Sequence, residues 1–183
     1  NVCYVITVSG NTLTFGSQHI WSTDTGTGVA VAFSTTVAGL FVASGSHGTG
    51  AGKLVAGQIS GTSITFGTPV QYSTSHAAFP NVSLDGYENK FIICWADTQA
   101  KIATVSGTTI TLGSGFTVAG GSLYSSAVRF DRYGTRGRIV VAGTDYVGAT
   151  HGFTKILQMT FGTPGVANLT ADNFIGMSSA AYA

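Results

Sequence analysis

The sequence predicts an all-β protein made of tandem repeats, and three features of its composition and order support this prediction. A hairpin-like segment recurs along the chain, glycine is abundant at 26 of 183 residues, and glutamate occurs only once, at Glu88. Long helices need Ala, Leu, Glu and Lys, whereas short strands joined by tight turns need glycine together with the Ser and Thr that fill most polar positions here. An array of short strands therefore fits this composition best.

The repeated segment is an alternating stretch that contains a Ser-Gly turn and closes on a glycine. Ser-Gly between two alternating runs predicts a hairpin, because glycine takes the positive φ that such turns require. The alternation of Ile or Leu with Thr predicts half-buried strands. The closing glycines are 51, 46 and 49 residues apart. The copies are VSGNTLTFG (8–16), ISGTSITFG (59–67), VSGTTITLG (105–113) and the shortened LQMTFG (157–162).

A second pair of strands is predicted before each of the later hairpins. These pairs lie at 29–33 and 40–43, at 78–84 and 91–95, and at 124–130 and 138–142. Each period then holds four short antiparallel strands, which is the content of one blade of a β-propeller. The sequence thus predicts four-stranded, propeller-like repeat units. A β-solenoid has shorter repeats, and a β-sandwich does not repeat its sequence at this period.

The repeat array is predicted to cover 1–165, and 166–183 to form an exit segment or the start of a following module. The last hairpin has lost its Ser-Gly turn, and the composition changes after Pro164-Gly165. About three and a half blades precede this point, fewer than the four to eight of a closed propeller. We therefore expect a partial propeller or a fragment of a larger one, closed within a longer chain or by oligomerisation. The start at Asn1, without an initiator Met, also favours a fragment.

Charge and cysteine content exclude several classes of function. Charged residues make up 8% of the chain and the net charge is +1, which gives no electrostatic reason to expect nucleic acid. No apolar run reaches the ~18 residues of a membrane-spanning helix. Cys3 and Cys94 follow no metal or redox spacing, so two buried free thiols are favoured, with a disulfide left open. No cofactor or metal site is predicted.

The hairpin sequence, seen most clearly in ISGTSITFGTPV (59–70), resembles repeats in large structural proteins of tailed bacteriophages. The segment NLTADNFIGMSSAAYA (168–183) resembles the sequence that often follows those repeats in tail-fibre and tail-associated proteins. The resemblance implies a non-enzymatic virion protein, located in the tail, that contributes to virion structure and to attachment to host-surface glycans. It also implies other virion subunits or copies of the chain itself as partners.

The candidate glycan- or receptor-binding residues are Asp97, Asp145, Tyr146, Arg132 and Arg136. The two aspartates follow equivalent strand ends and are expected at one face of the blades. All four arginines fall within 129–138, where they suit phosphates or acidic sugars, although a solvated turn is the simpler interpretation. Tyr146 is a candidate for stacking on a sugar ring.

No catalytic set is predicted. Asp85 and Asp131 occupy matching turns and are interpreted as turn residues, and the four histidines lie in separate segments, with His47 and His151 expected in loops. Two alternative functions stay open: a carbohydrate-binding or glycan-cleaving propeller of the sialidase type, and a bacterial surface or filament protein. The predicted aromatic core consists of Trp95 and of Phe15, Phe66, Phe91, Phe130 and Phe161.

Overall fold

The computed structural model of this chain is all-β, as predicted. It describes residues 1–24, 26, 28–46, 50–74, 77–84, 89–96, 99–118, 123–131, 138–147 and 149–158, with the backbone alone at 123–126, 145–147 and 149–151. These residues contain fourteen strands and no helix, and hence no helix long and apolar enough to cross a membrane. The predicted exit segment at 166–183 lies outside the described residues.

The strands are short and every pair is antiparallel. Their bounds are β1 Val2–Ser9, β2 Thr12–Ile20, β3 Val29–Phe33, β4 Leu40–Ser46, β5 Gly52–Ser60, β6 Ser63–Phe66, β7 Val70–Ser73, β8 Asn81–Leu84, β9 Lys90–Trp95, β10 Gln99–Ser106, β11 Thr109–Thr117, β12 Leu123–Phe130, β13 Arg138–Val147 and β14 Ala149–Gln158. The predicted strand at 29–33 has the observed bounds, whereas that at 78–84 begins later, after Pro80, which has no N–H for a ladder bond.

Neighbours in sequence are neighbours in each of four sheets. Sheet I contains β1 and β2, sheet II the order β3-β4-β5-β6, sheet III the order β8-β9-β10-β11, and sheet IV the order β12-β13-β14. In sheet II, β7 also pairs with β5, so that β6 and β7 divide between them the edge that β11 covers in sheet III. The first strands contact in succession, β3 with β8 and β8 with β12.

The repeated hairpins form their turns as the sequence predicts. Gly10, Gly61 and Gly107 have φ of 57°, 59° and 56°, in the left-handed region that glycine adopts without strain. The closing glycines have a different role, which is close approach to the next hairpin. A Cβ on Gly67 would lie 1.9 Å from the backbone oxygen of Thr108, and one on Gly16 would lie 3.4 Å from that of Thr62. Each of these two units therefore meets the turn of the following one through bare backbone.

The sheets pack face to face, and the middle two are covered on both sides. In sheet II, Phe41, Ala43 and Val55 pack toward sheet I, while the alternate residues pack toward sheet III. In sheet III, Phe91 and Ile93 pack toward sheet II, and Ile92 and Cys94 toward sheet IV. A strand buried on both faces needs a continuous apolar run, which explains the sequence FIICW.

The predicted aromatic core is only partly correct. Phe91 and Phe130 are buried, and Phe66 is half-buried between sheets I and II, but Phe15 is 64% exposed. Phe66 and its equivalent Leu112 each pack against the preceding sheet. Phe15 is exposed because no sheet among the described residues precedes sheet I. Phe161 lies outside the part of the chain that is described.

Both cysteines are free thiols, as favoured by the sequence, but only Cys94 is fully buried. Cys3 is half-buried between sheets I and II. Burial raises the pKa of Cys94 to about 12, and it raises that of Cys3 against the opposing charge of the amino terminus. Both thiols are therefore poor nucleophiles at neutral pH.

Candidate ligand site

The candidate residues from the sequence are only partly placed. Asp97, Arg132 and Arg136 lie outside the described residues. Asp145 and Tyr146 lie in β13, with backbones opposite His151 and Thr150 of β14. Two expectations are wrong here: Asp145 lies inside its strand rather than beyond the end, and His151 lies in a strand rather than a loop, because β13 and β14 run on to a tight connection after Val147.

The two described arginines of the predicted cluster make separate contacts. Arg129 donates through a guanidinium nitrogen to the backbone oxygen of Val128 at 2.7 Å and to Asn81 Oδ1 at 3.4 Å. Arg138 forms an ion pair with Asp131 at 3.6 Å, and the Asp131 amide donates to the Arg138 carbonyl. Asp131 therefore acts in its turn as the sequence predicts. These contacts tie down strand ends and do not form an anion site.

A polar cleft of about 440 Å³ lies where β7 faces the ends of β9, β10 and β11. It separates sheet II from sheet III at one edge of their shared core. Its described lining consists of amide, hydroxyl, ammonium and aromatic groups, from Gln71, Tyr72, Ser73, Thr74, Trp95, Gln99, Lys101 and Gly115. This is the candidate ligand site.

Alternation in β10 places the polar side chains on the cleft. Ala100 and Ile102 are buried against sheet IV, so Gln99 and Lys101 project toward sheet II. On the opposite wall, the ring of Tyr72 lies over Gly52, where a Cβ would come within 2.1 Å of Tyr72 Cζ. A glycine at position 52 is what lets this ring enter the space between the sheets.

Hydrogen bonds hold the walls of the cleft in place. Lys101 Nζ donates to the backbone oxygen of Tyr72 at 2.8 Å, which joins the two sheets across the cleft. Gln99 Nε2 donates to Thr117 Oγ1 at 2.9 Å, and Gln71 Nε2 donates to the backbone oxygen of Ser73 at 3.0 Å. The side chains are thus pre-positioned, which lowers the entropic cost of binding a ligand.

Tyr72 and Trp95 form the floor, and both carry an unsatisfied polar atom. The Tyr72 Oη and the Trp95 Nε1 are buried without a hydrogen-bond partner among the described residues. Leaving such donors unpaired costs roughly 1–3 kcal/mol each. Burial raises the pKa of Tyr72, so its hydroxyl stays protonated. The cleft floor therefore favours a partner that accepts hydrogen bonds.

The described lining suits binding rather than catalysis. It contains no carboxylate, imidazole or thiol, and so no pair for general acid–base or nucleophilic chemistry. Within the described ranges, no three His, Cys, Asp or Glu side chains group as a metal site. Amides, hydroxyls and one ammonium beside aromatic rings are the groups that recognise a hydroxyl-rich ligand.

The sequence did not indicate this cleft. Its residues come from four strands, and the only signal was the alternation of Gln99 and Lys101 with two apolar residues. Trp95 was predicted to be core, which is confirmed by its 4% exposure, and the same residue also lines the cleft. Pairing of β7 with the far half of β5 brings Tyr72 opposite Trp95, and local sequence does not specify that pairing.

No protein-family model matches the chain, and a search of the curated proteins finds no significant relative. The fold class and the cleft are therefore the observations from which a function is proposed.

Proposed function

We propose that this chain is a non-enzymatic structural module of a bacteriophage tail fibre or tail-associated protein, which binds a host-surface glycan in the cleft between sheets II and III. The observation that carries the glycan part is the neutral polar cleft over Tyr72 and Trp95. The virion part rests on the resemblance of the three Ser-Gly hairpins to phage structural repeats. Partners would be other virion subunits or copies of this chain.

The proposed architecture is an array of four-stranded, propeller-like units. In support, sheet III is a meander of four consecutive strands, and β1-β2, β5-β6 and β10-β11 are equivalent hairpins with equivalent turns. The successive contacts of β3, β8 and β12 support first strands that gather around one axis. Sheet I then corresponds to the third and fourth strands of a unit.

Asp97 is the predicted residue that fits this proposal most directly. In the sequence it stands between Trp95 and Gln99, both of which line the cleft. Arg132, Arg136, Asp145 and Tyr146 remain candidates for contacts elsewhere on the particle.

The test is binding to an array of bacterial surface polysaccharides, with release of reducing ends measured in parallel. We expect saturable binding without cleavage, weakened about tenfold or more by Gln99→Ala or Lys101→Met. Gln18→Ala, on an exposed strand of sheet I, is the matched control and should bind as the parent does. Release of reducing ends would instead favour the glycan-cleaving alternative. The genomic neighbourhood of the coding sequence tests the virion assignment, since tail and capsid genes are expected beside it.

A further inference from the structure

The inner half of the interface between sheets I and II is an open apolar groove of about 320 Å³. Its outer half is filled by the cluster of Cys3 and Trp21 with Phe41, Val55 and Phe66. The open half is floored by one face of β3, where Val31 and Phe33 are 56% and 54% exposed. The opposite face of β3, with Ala30 and Ala32, packs into the core shared with sheet III.

The edge of β1 beside this groove is unpaired within the described residues. The strand is eight residues long and contains no charge and no proline, the features that usually protect an exposed edge from pairing. The groove and the open edge are adjacent, since Val2, Cys3 and Tyr4 line the groove. A strand added to β1 would therefore also cover β3.

The repeat itself shows what covers such an edge. Alignment of the Ser-Gly turns places β1 at the position of β5 in sheet II and of β10 in sheet III. The edge of β5 is covered by β4, and the edge of β10 by β9. In both cases a branched apolar residue lies at the position that corresponds to Val5: Val42 opposite Ala56, and Ile92 opposite Ile102.

Those two residues point toward the next sheet in the stack. Val42 packs into the core between sheets II and III, and Ile92 into the core between sheets III and IV. The corresponding residue of a strand added to β1 would point into the groove over β3. The preceding strand of each pair, β3 or β8, would have its counterpart above Val31.

We infer that the edge of β1 and the groove over β3 form an acceptor site for an apolar β-hairpin of the same repeat type, donated by another polypeptide. The hairpin adds two strands antiparallel to β1 and turns sheet I into a four-stranded sheet. The inference rests on the four-stranded unit proposed above and is independent of glycan binding. Main-chain hydrogen bonds supply affinity, and the branched residue in the groove supplies register.

The test uses a fluorescent synthetic peptide with the sequence of residues 29–46, carrying a two-lysine tail for solubility. We expect saturable binding by anisotropy, together with new protection of β1 amides in hydrogen exchange. Val31→Lys on the protein should weaken binding about tenfold or more. Val8→Lys is the matched control, because Val8 is 66% exposed and lies outside the groove, and it should change binding by less than about twofold.

A second variant removes dependence on the fold of the mutated protein. A peptide carrying Val42→Asp should lose binding to the unmodified protein, because it would bury a carboxylate in the groove. Equal binding of a scrambled peptide, equal loss with Val8→Lys, or absence of β1 protection would overturn the inference. A concentration-dependent dimer that Val31→Lys abolishes and the peptide does not displace would assign the groove to a second copy, which also overturns it. None of these outcomes bears on the glycan array.

Discussion

The rings of Tyr72 and Trp95 pack against each other across two sheets, with centroids 5.1 Å apart and planes inclined by 53°. This contact joins β7 of sheet II to β9 of sheet III at the floor of the polar cleft. It combines a core function, which is burial of two large rings, with two polar atoms that the core leaves without partners. Substitutions at the two positions should therefore separate stability from binding.

Trp95→Ala should reduce the free energy of unfolding by about 3–5 kcal/mol, because it leaves a cavity between sheets II and III. Tyr72→Phe should leave stability unchanged or raise it slightly, since the Oη it removes has no partner among the described residues. Urea titration of both variants measures the two effects. A loss of more than about 1.5 kcal/mol for Tyr72→Phe would mean that the hydroxyl is hydrogen-bonded in the free protein.

Gly67→Ala should destabilise the fold by about 1–3 kcal/mol, because the new Cβ would meet the Thr108 backbone oxygen and push the next hairpin away. Gly113→Ala is the matched control at the equivalent position of the next unit, where the nearest backbone oxygen would be 3.3 Å away. We expect its cost to be clearly smaller. Equal costs for the two variants, measured by thermal or urea unfolding, would contradict the importance of this contact.

Stability should fall as the pH rises from about 9 toward 12, because the raised pKa of Cys94 keeps its thiol protonated in the folded state only. Over this window the unfolded chain has lost a proton that the folded chain retains, which costs on the order of 1 kcal/mol per pH unit. The stability difference between the parent and Cys94→Ala should therefore shrink on going from pH 8 to pH 11. Cys3→Ala, at the half-buried thiol, should show less of this change.

Phe15→Ser should change the free energy of unfolding by no more than about 0.5 kcal/mol, since the ring is mostly in water. Phe91→Ala, at a ring with 1% exposure, should cost about 3–5 kcal/mol. The pair compares two phenylalanines that the sequence pattern treats alike. A large loss for Phe15→Ser would show that the outer face of sheet I is covered in solution.

The sequence predicts local structure well here because turns are encoded by local chemistry. The Ser-Gly hairpins and the bounds of β3 follow from glycine conformation and from alternation over a few residues. Phe15 shows where this reasoning ends, because its strand has the same pattern as that of Phe66 but lacks a neighbouring sheet. Burial depends on the partner surface, and a strand's own pattern does not state whether the partner is present.

The cleft was missed for a related reason. Tyr72 enters the space between the sheets because Gly52, twenty residues away and on another strand, has no side chain. The polar atoms of Lys101 and Tyr72 meet only after β7 has paired with β5 and two sheets have stacked. Such a site depends on long-range register, which composition and periodicity leave undetermined.

The contact between a closing glycine and the next turn has a consequence for how such an array can evolve. At Gly16 and Gly67 the neighbour is met through backbone atoms, which every hairpin of this type presents regardless of its side chains. A unit duplicated or deleted by recombination would find the same contact on either side. Only the apolar faces would then need adjustment, so the number of units can change faster than the sequence of any one of them.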